Sequence, residues 1–258
     1  MFKNINEVKP AHYVIYNKKT GLHTERYWKL ESKPHVDDFE TTCVKVKELL
    51  ENSMERQIIP GESLCTFLSG GLDSSILSLY TSKQVGKLNT YSVDYIDNDK
   101  NFVKSDFQPD SDKYYIDIMT DMLKTNHSTI YIDTPDLVES LKEAMIARDL
   151  PGMADIDVSL MLFCKKVKER GENITISGES ADEIFGGYPW FFREDSLKSG
   201  TFPWSIALEE REKLLHPDIS QKIDLKEYIE RRYNESLSEV EILEVDSKEL
   251  AEKRKISH

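Results

Sequence analysis

An apolar strand that runs into a glycine-serine loop and then into a helix most constrains this chain. The stretch is SLCTFLSGGLDSSILSLYTSK, Ser63 to Lys83. LCTFL reads as a strand, and SSILSLYTSKQVG reads as a helix closed by Gly86. The alternation continues downstream. LNTYSVDY is followed by SDKYYIDIMTDMLKTN, and HSTIYID by DLVESLKEAMIARD. The helix DVSLMLFCKKVKERG then leads into the strand NITISG. Strands alternating with helices specify βαβ units, because parallel strands need a crossover and a parallel sheet needs both faces covered. The fold class predicted is therefore α/β, with a doubly wound parallel sheet. Residues Asp97–Asp112, rich in Asp, Asn and Ser, read as a mobile surface loop.

Two flanks do not follow this rhythm. HYVIYN and GLHTERYWKL read as a short hairpin around Lys19-Thr20-Gly21, marginal by itself. From Val36 to Arg56 apolar residues recur at helical spacing, and Pro60-Gly61 ends that region. Beyond Phe192 the segment FREDSLKSGTFPW is irregular, and SIALEEREKLL and DLKEYIERRYNESLSEV read as charged helices. The boundaries expected are residues 1–35, 36–200 and 201–258.

Charge and cysteine usage exclude several classes. Asp and Glu number 47 against 34 Lys and Arg, a formal charge of -13, which disfavours a nucleic-acid partner. No apolar run approaches the roughly 18 residues that span a bilayer, so no membrane partner is expected. The N-terminal stretch lacks the layout of a signal peptide. Cys43, Cys65 and Cys164 are isolated, and the six histidines are scattered. Neither a disulfide framework nor a zinc site is expected, and a reducing cytoplasm fits. Cys43, on an apolar helix face, and Cys65, in a strand, read as core residues.

The loop between strand and helix carries the chemistry. In parallel α/β sheets ligands sit at the carboxyl ends of strands, near helix N-termini. Gly70 and Gly71 can take positive φ and turn consecutive N–H groups toward one point, forming an anion nest. Ser69, Ser74 and Ser75 add hydroxyls. Asp73 would repel a bare phosphate, so its presence implies Mg²⁺ between carboxylate and phosphate oxygens. No lysine stands where GxxxxGK[ST] requires one. The arrangement resembles SGGxDS, the PP-loop of the ATP pyrophosphatase superfamily, whose members grip the β- and γ-phosphates of ATP and cleave the α–β bond.

A second strand end, ITISGESADEIFGGYPWFF, spans Ile174–Phe192. Singly, Glu179, Asp182 and Glu183 are acids in a first helical turn, favoured by the dipole. Beside the first loop they read differently: Asp73 and Asp182 jointly hold Mg²⁺ on a triphosphate. Gly186-Gly187 then permits a tight turn that swings Tyr188 and Trp190 across the site. This stretch resembles the SGEGADE-(L/V)-FGGY signature of glutamine-hydrolysing asparagine synthetases. RYWKL, SGGLDSS, TYSVDY, DLPGMADIDVSLMLFCKK and GESADEIFGGY occur in that family's order. The resemblance extends from about Ala11 to Phe192.

Carried over position by position, the resemblance implies that Ser69, Gly70, Gly71, Asp73, Ser74 and Ser75 form the pyrophosphate loop. Asp73 and Asp182 match the Mg²⁺ carboxylates. Leu68, Val93, Ser177 and Gly178 match residues enclosing adenine and ribose, and Glu179 the glutamate that assists ammonia attack. Ser180-Ala181 departs from the usual Gly-Ala or Gly-Ser. The loop near Gly152–Asp157 is a candidate wall of the substrate site.

The activity implied is ATP-dependent conversion of aspartate to asparagine through β-aspartyl-AMP, with ammonia from a glutaminase domain. Phe2 stands where the family's nucleophilic cysteine follows Met1, and nothing after Phe192 matches RVPFLD. The chain therefore reads as a synthetase domain truncated at both ends: a hairpin tail, a PP-loop domain and an incomplete helical part. Lys253 and Lys255 receive no role, and a homodimer is left open. The alternatives are a β-lactam-synthetase-like or other acyl-adenylate amide ligase, and a non-catalytic nucleotide-binding module.

Overall fold

The alternating apolar segments pair as a four-stranded parallel sheet in the computed structural model, which describes residues 4–104, 111–150 and 152–257. Two compact units divide the chain: Asp37–Glu179, and Met1–Val36 together with Ser180–His258.

The first of these units opens with α1 (Phe39–Glu55), capped by the Asp38 carboxylate, which accepts from the Thr41 N–H at 2.8 Å. Then follow β3 (Leu64–Phe67), α2 (Leu72–Val85), β4 (Asn89–Tyr95) and the single turn α3 (Asn98–Asn101). (β1 and β2 belong to the other unit.) The segment closes with α4 (Asp112–Leu123), β5 (Asn126–Ile132), α5 (Thr134–Arg148), α6 (Ala154–Glu169) and β6 (Ile174–Ile176). Part of the segment expected as a surface loop is thus helical. Its residues 105–110 lie outside the described residues, as does Pro151.

Strand order is β5-β4-β3-β6. The chain lays down β3, β4 and β5 in one direction. It then returns through α5 and α6 to place β6 on the far side of β3. Such a reversal leaves a crevice at the carboxyl ends of the two strands that flank it.

The strands read as continuous apolar or hydroxyl runs because helices cover both faces. On one face Cys65, Tyr91, Ile130 and Ile132 pack with Phe163 and Val167 of α6. Phe67 also lies there, its ring 4.5 Å from that of Phe163. Thr66 and Thr90, alternate along their strands, occupy the other face, and Thr66 Oγ1 lies 2.7 Å from Ser78 Oγ of α2. Burial pushes the Cys65 thiol up to about 11, in keeping with a core position. Cys43 departs from its expected place: it is exposed. Among the described residues of α1 only Met54 is buried, so the helix seats its last turn rather than its whole apolar stripe.

At the amino ends of the strands, the buried Glu172 carboxylate gathers three donors. Ser63 Oγ donates at 2.6 Å, Asn89 Nδ2 at 2.7 Å and Tyr91 Oη at 3.1 Å. A buried carboxylate is tolerated when its oxygens are satisfied in this way.

The other unit contains the hairpin and short helices. β1 (His12–Asn17) and β2 (Gly21–Arg26) pair antiparallel. After them come α7 (Ala181–Phe185), α8 (Glu194–Leu197), α9 (Leu208–Glu212), α10 (Pro217–Ser220), α11 (Leu225–Leu237) and α12 (Lys248–Ser257). No strand follows Ile176 among the described residues. α9 is shorter than SIALEEREKLL predicts. A 3₁₀ turn at Pro203–Ser205 precedes it, and Leu214 and Leu215 close back on Arg211 and Glu212. Arg26 Nη1 meets Glu239 Oε2 at 2.7 Å, and Arg254 grips both oxygens of Asp246 at 2.7 and 3.0 Å. Among the described residues no helix is long and apolar enough to cross a membrane.

Candidate functional site

The loop leaving β3 owes its shape to one glycine and two serines. The Leu68 N–H extends the strand ladder to the Tyr91 carbonyl at 2.8 Å, and the Leu68 side chain is buried. Gly70 then takes φ +79°. A Cβ there would lie 2.8 Å from Tyr115 Cβ, 3.0 Å from Ile116 N and 3.1 Å from Asp112 O. Both the dihedral and the crowding against α4 therefore require glycine. Gly71 differs from expectation: its φ is -69°, because it serves as the extended N-cap of α2. Only one of the two glycines uses the left-handed region.

Ser74 closes the loop from the helix side. Its hydroxyl accepts the Ser69 N–H at 3.2 Å, donates to the Gly71 carbonyl at 3.2 Å and sits 3.0 Å from Ser69 Oγ. Ser75 N–H makes the first helical bond, to Gly71 O at 3.1 Å. Gly71 supplies no side-chain cap. The first turn of this 14-residue helix thus aims backbone amides and its dipole at the crevice.

The end of β6 meets this turn. A Cβ on Gly178 would lie 3.1 Å from Asp73 Cβ and 3.3 Å from Ser74 N. Ser177 and Gly178 are thus held directly beside the loop and the start of α2, at the point where the strand order reverses. Glu179, exposed, is the last residue of the same unit. Asp182 belongs to the other unit, in the first turn of α7. There Gly187 N–H returns to the Asp182 carbonyl at 3.0 Å. A methyl on Gly187 would overlap Asp182 Oδ1, so the carboxylate folds over this glycine. Gly186, at φ +70°, makes the turn, and Tyr188 stacks on Trp190 with ring centroids 4.1 Å apart.

Ser180 adopts φ +70°, in the left-handed region, at the N-cap of α7. Glycine, usual at this point of the signature, would hold that angle without the Cβ penalty. Ser180→Gly is expected to raise stability by about 1 kcal/mol. Chemical denaturation would check it; an unchanged or lower midpoint would count against strain at this residue.

Val93 lines a cavity of about 230 Å³ at the carboxyl end of β4, with Ser92, Asp94, Tyr95, Asn98 and Lys113 among its walls. The motif reading stopped at Val93 and missed the other polar members. Asp94 was visible in TYSVDY as an acid near the end of a strand; α3 and the first turn of α4, which supply further walls of the cavity, carry no motif. Tyr95 Oη donates to Ser159 Oγ at 2.8 Å and ties the strand end to α6. Gly152 is packed against the Arg148–Asp157 ion pair, 2.6 Å long.

His127 underlies the same cavity. Its ring nitrogens lie 3.0 Å from Thr90 Oγ1 and 3.1 Å from Ser92 Oγ, and Ser92 Oγ donates to Thr129 Oγ1 at 3.2 Å. Ser92 and Thr129 both line the cavity. Burial holds the His127 pKa below its ordinary value, with Asp117 opposing and Lys113 reinforcing by less. The unfolded chain thus takes up this proton at higher pH than the folded one. Stability is full above the ordinary value of 6.5 and falls as pH drops from there through the lower folded value. The unfolding temperature is expected to fall by a few degrees more between neutral and mildly acid pH in the native protein than in His127→Gln. Equal slopes would remove the assignment.

Among the described residues, no group of three or more His, Cys, Asp or Glu is poised for a metal. Mg²⁺ on a nucleotide does not need one. It takes one or two carboxylates and completes its shell with phosphate oxygens and water, and a carboxylate at the head of α2, as Asp73 supplies, is the hard oxygen donor it prefers.

Comparison with known proteins places these features in a family. The family profile described as asparagine synthase matches residues 45–258. Asparagine synthetase [glutamine-hydrolyzing] 3 of Bacillus subtilis (strain 168) is 45% identical over 249 residues, covering 95% of this chain and 40% of that protein. Asparagine synthetase [glutamine-hydrolyzing] of Zea mays is 27% identical over 195 residues, covering 73% and 32%. The chain thus spans two fifths or less of the length of these relatives. With its PP-loop at the β3–β6 crevice and a profile match running from α1 onward, the chain belongs to the asparagine synthase family.

Proposed function

We propose that this chain is the ATP-dependent synthetase part of an asparagine synthetase. The β-carboxylate of aspartate attacks the α-phosphate of ATP, pyrophosphate leaves, and ammonia then displaces AMP from β-aspartyl-AMP. The observation that carries the reading is the close approach of Gly178 to Asp73 and Ser74, at the crevice where the strand order reverses.

The roles follow from what each group can do. The backbone around Ser69, Gly70 and Gly71, with the amides of α2 and the Ser75 hydroxyl, receives the β- and γ-phosphates. Ser74 holds the loop in that shape. Leu68, Val93, Ser177 and Gly178 enclose the adenine and ribose. Asp73 and Asp182 would hold Mg²⁺, which when bound neutralises charge on the departing pyrophosphate. Glu179 accepts a proton as ammonia attacks. Ammonia comes from glutamine through a glutaminase domain, in keeping with the names of the relatives. We assign residues 1–35 as linker to that domain, 36–200 as the ATP-binding domain and 201–258 as its helical extension, working in the cytoplasm.

ATP–pyrophosphate exchange by the full-length protein tests the proposal. Exchange is expected with Mg²⁺ and aspartate and not without aspartate. Exchange driven by another carboxylic acid instead would turn the reading to a different acyl-adenylate amide ligase. ATP binding with no exchange under any acid would leave a nucleotide-binding module.

A further inference from the structure

The cavity beside Val93 contains an acid to which no role has been given. Asp94 is the penultimate residue of β4, the strand paired in parallel with β3 from Cys65↔Asn89 to Phe67↔Tyr91. Its Oδ1 receives two donors, the Tyr95 N–H and the Asn98 side-chain amide, both at 2.8 Å. Two bonds on one oxygen fix the plane of the carboxylate in the cavity wall. A carboxylate has about four lone-pair sites and accepts only, so it retains capacity for donors from a ligand.

The parts of a nucleotide can be weighed against that chemistry. Phosphates are repelled by a carboxylate and are served by the neighbouring loop. A vicinal diol offers two hydroxyl donors at the spacing of one carboxylate. Dinucleotide-binding doubly wound sheets offer a precedent: an acid about 20 residues beyond the glycine-rich phosphate loop takes the ribose 2′-hydroxyl. Asp94 follows the loop at a comparable distance, on the strand beside β3.

We propose that Asp94 accepts hydrogen bonds from the ribose 2′- and 3′-hydroxyls and makes the site selective for ribonucleotides. Tyr95, through its backbone N–H, and Asn98 act as positioning residues for that carboxylate. The proposal rests on the nucleotide-binding reading above.

Binding of ATP, 2′-deoxy-ATP and 3′-deoxy-ATP to the full-length protein with Mg²⁺, by calorimetry, tests it. The native protein is expected to bind one or both deoxy analogues tenfold to a hundredfold more weakly than ATP, roughly the worth of one hydrogen bond to a charged group. Asp94→Ala is expected to bind ATP correspondingly more weakly and to lose the discrimination. Equal affinity of the native protein for all three nucleotides would overturn the proposal and leave the nucleotide reading standing. Discrimination that survives intact in Asp94→Ala would also overturn it. Failure of the native protein to bind any of the three would remove both. The native-protein arm decides the matter even where the variant folds poorly.

Discussion

Gly70→Ala is expected to lower the unfolding temperature by roughly 5–10 °C and to weaken ATP binding with it. Two independent costs combine. Alanine at φ +79° gives up about 1–2 kcal/mol relative to glycine. Its methyl would also press on Tyr115 Cβ, Ile116 N and Asp112 O at 2.8–3.1 Å. Two of these are backbone atoms in the first turns of α4, so no rotamer change relieves them. Either α4 shifts or the loop rotates, and rotation changes where the loop amides point. Together these amount to roughly 2–4 kcal/mol. Gly71→Ala is the internal control for stability. Its φ is -69°, and the nearest atom to an added Cβ is Ser69 Oγ at 3.4 Å. Equal unfolding temperatures for Gly70→Ala and the native protein would show that the loop does not have this conformation in solution.

Asp73→Asn is expected to reduce aspartate-dependent ATP–pyrophosphate exchange by 10²–10³-fold, about the effect of losing one preorganised donor at a developing anion, here through the Mg²⁺ that the carboxylate would hold. The substitution is isosteric, so the packing of Gly178 against Asp73 Cβ survives and the unfolding temperature should move little. What disappears, on the proposed role, is the charge that would offset Mg²⁺ and hold it on the phosphates. Where the full-length protein carries the proposed glutaminase domain, glutamine hydrolysis is expected to persist, because the proposal gives this loop no part in that reaction. Exchange at the native rate in Asp73→Asn would end the metal assignment, and loss of exchange together with loss of folding would make the residue structural.

The βαβ succession was legible because it depends on local pattern: LCTFL and HSTIYID cannot be amphipathic helices, and Gly86 ends α2 where the sequence says it should. The strand order was not legible, because parallel pairing allows several orders and the placement of β6 beside β3 is set only in three dimensions. Equally inaccessible were other features set by residues far apart in the chain. Gly70 and Gly71 look equivalent in sequence; contact with α4, some 40 residues on, assigns the left-handed angle to the first alone. Cys43 lies on an apolar stripe that the rest of its unit leaves largely uncovered. The cavity wall of Asp94, Asn98 and Lys113 joins three short elements with no shared motif. Ser180 in a left-handed conformation breaks a local rule, and such breaks cluster near functional segments.

The carboxylate of Glu172 has a consequence for how such a scaffold can diversify. By joining Ser63, Asn89 and Tyr91 at the end of the sheet remote from the loops, it sets strand register without help from the ligand side. Insertions or exchanges after β3, β4 or β6 can then remodel which acid or amine is admitted while the alignment of neighbouring strands is preserved. New chemistries on this frame would be reached by rewriting its upper rim, with the footing left alone.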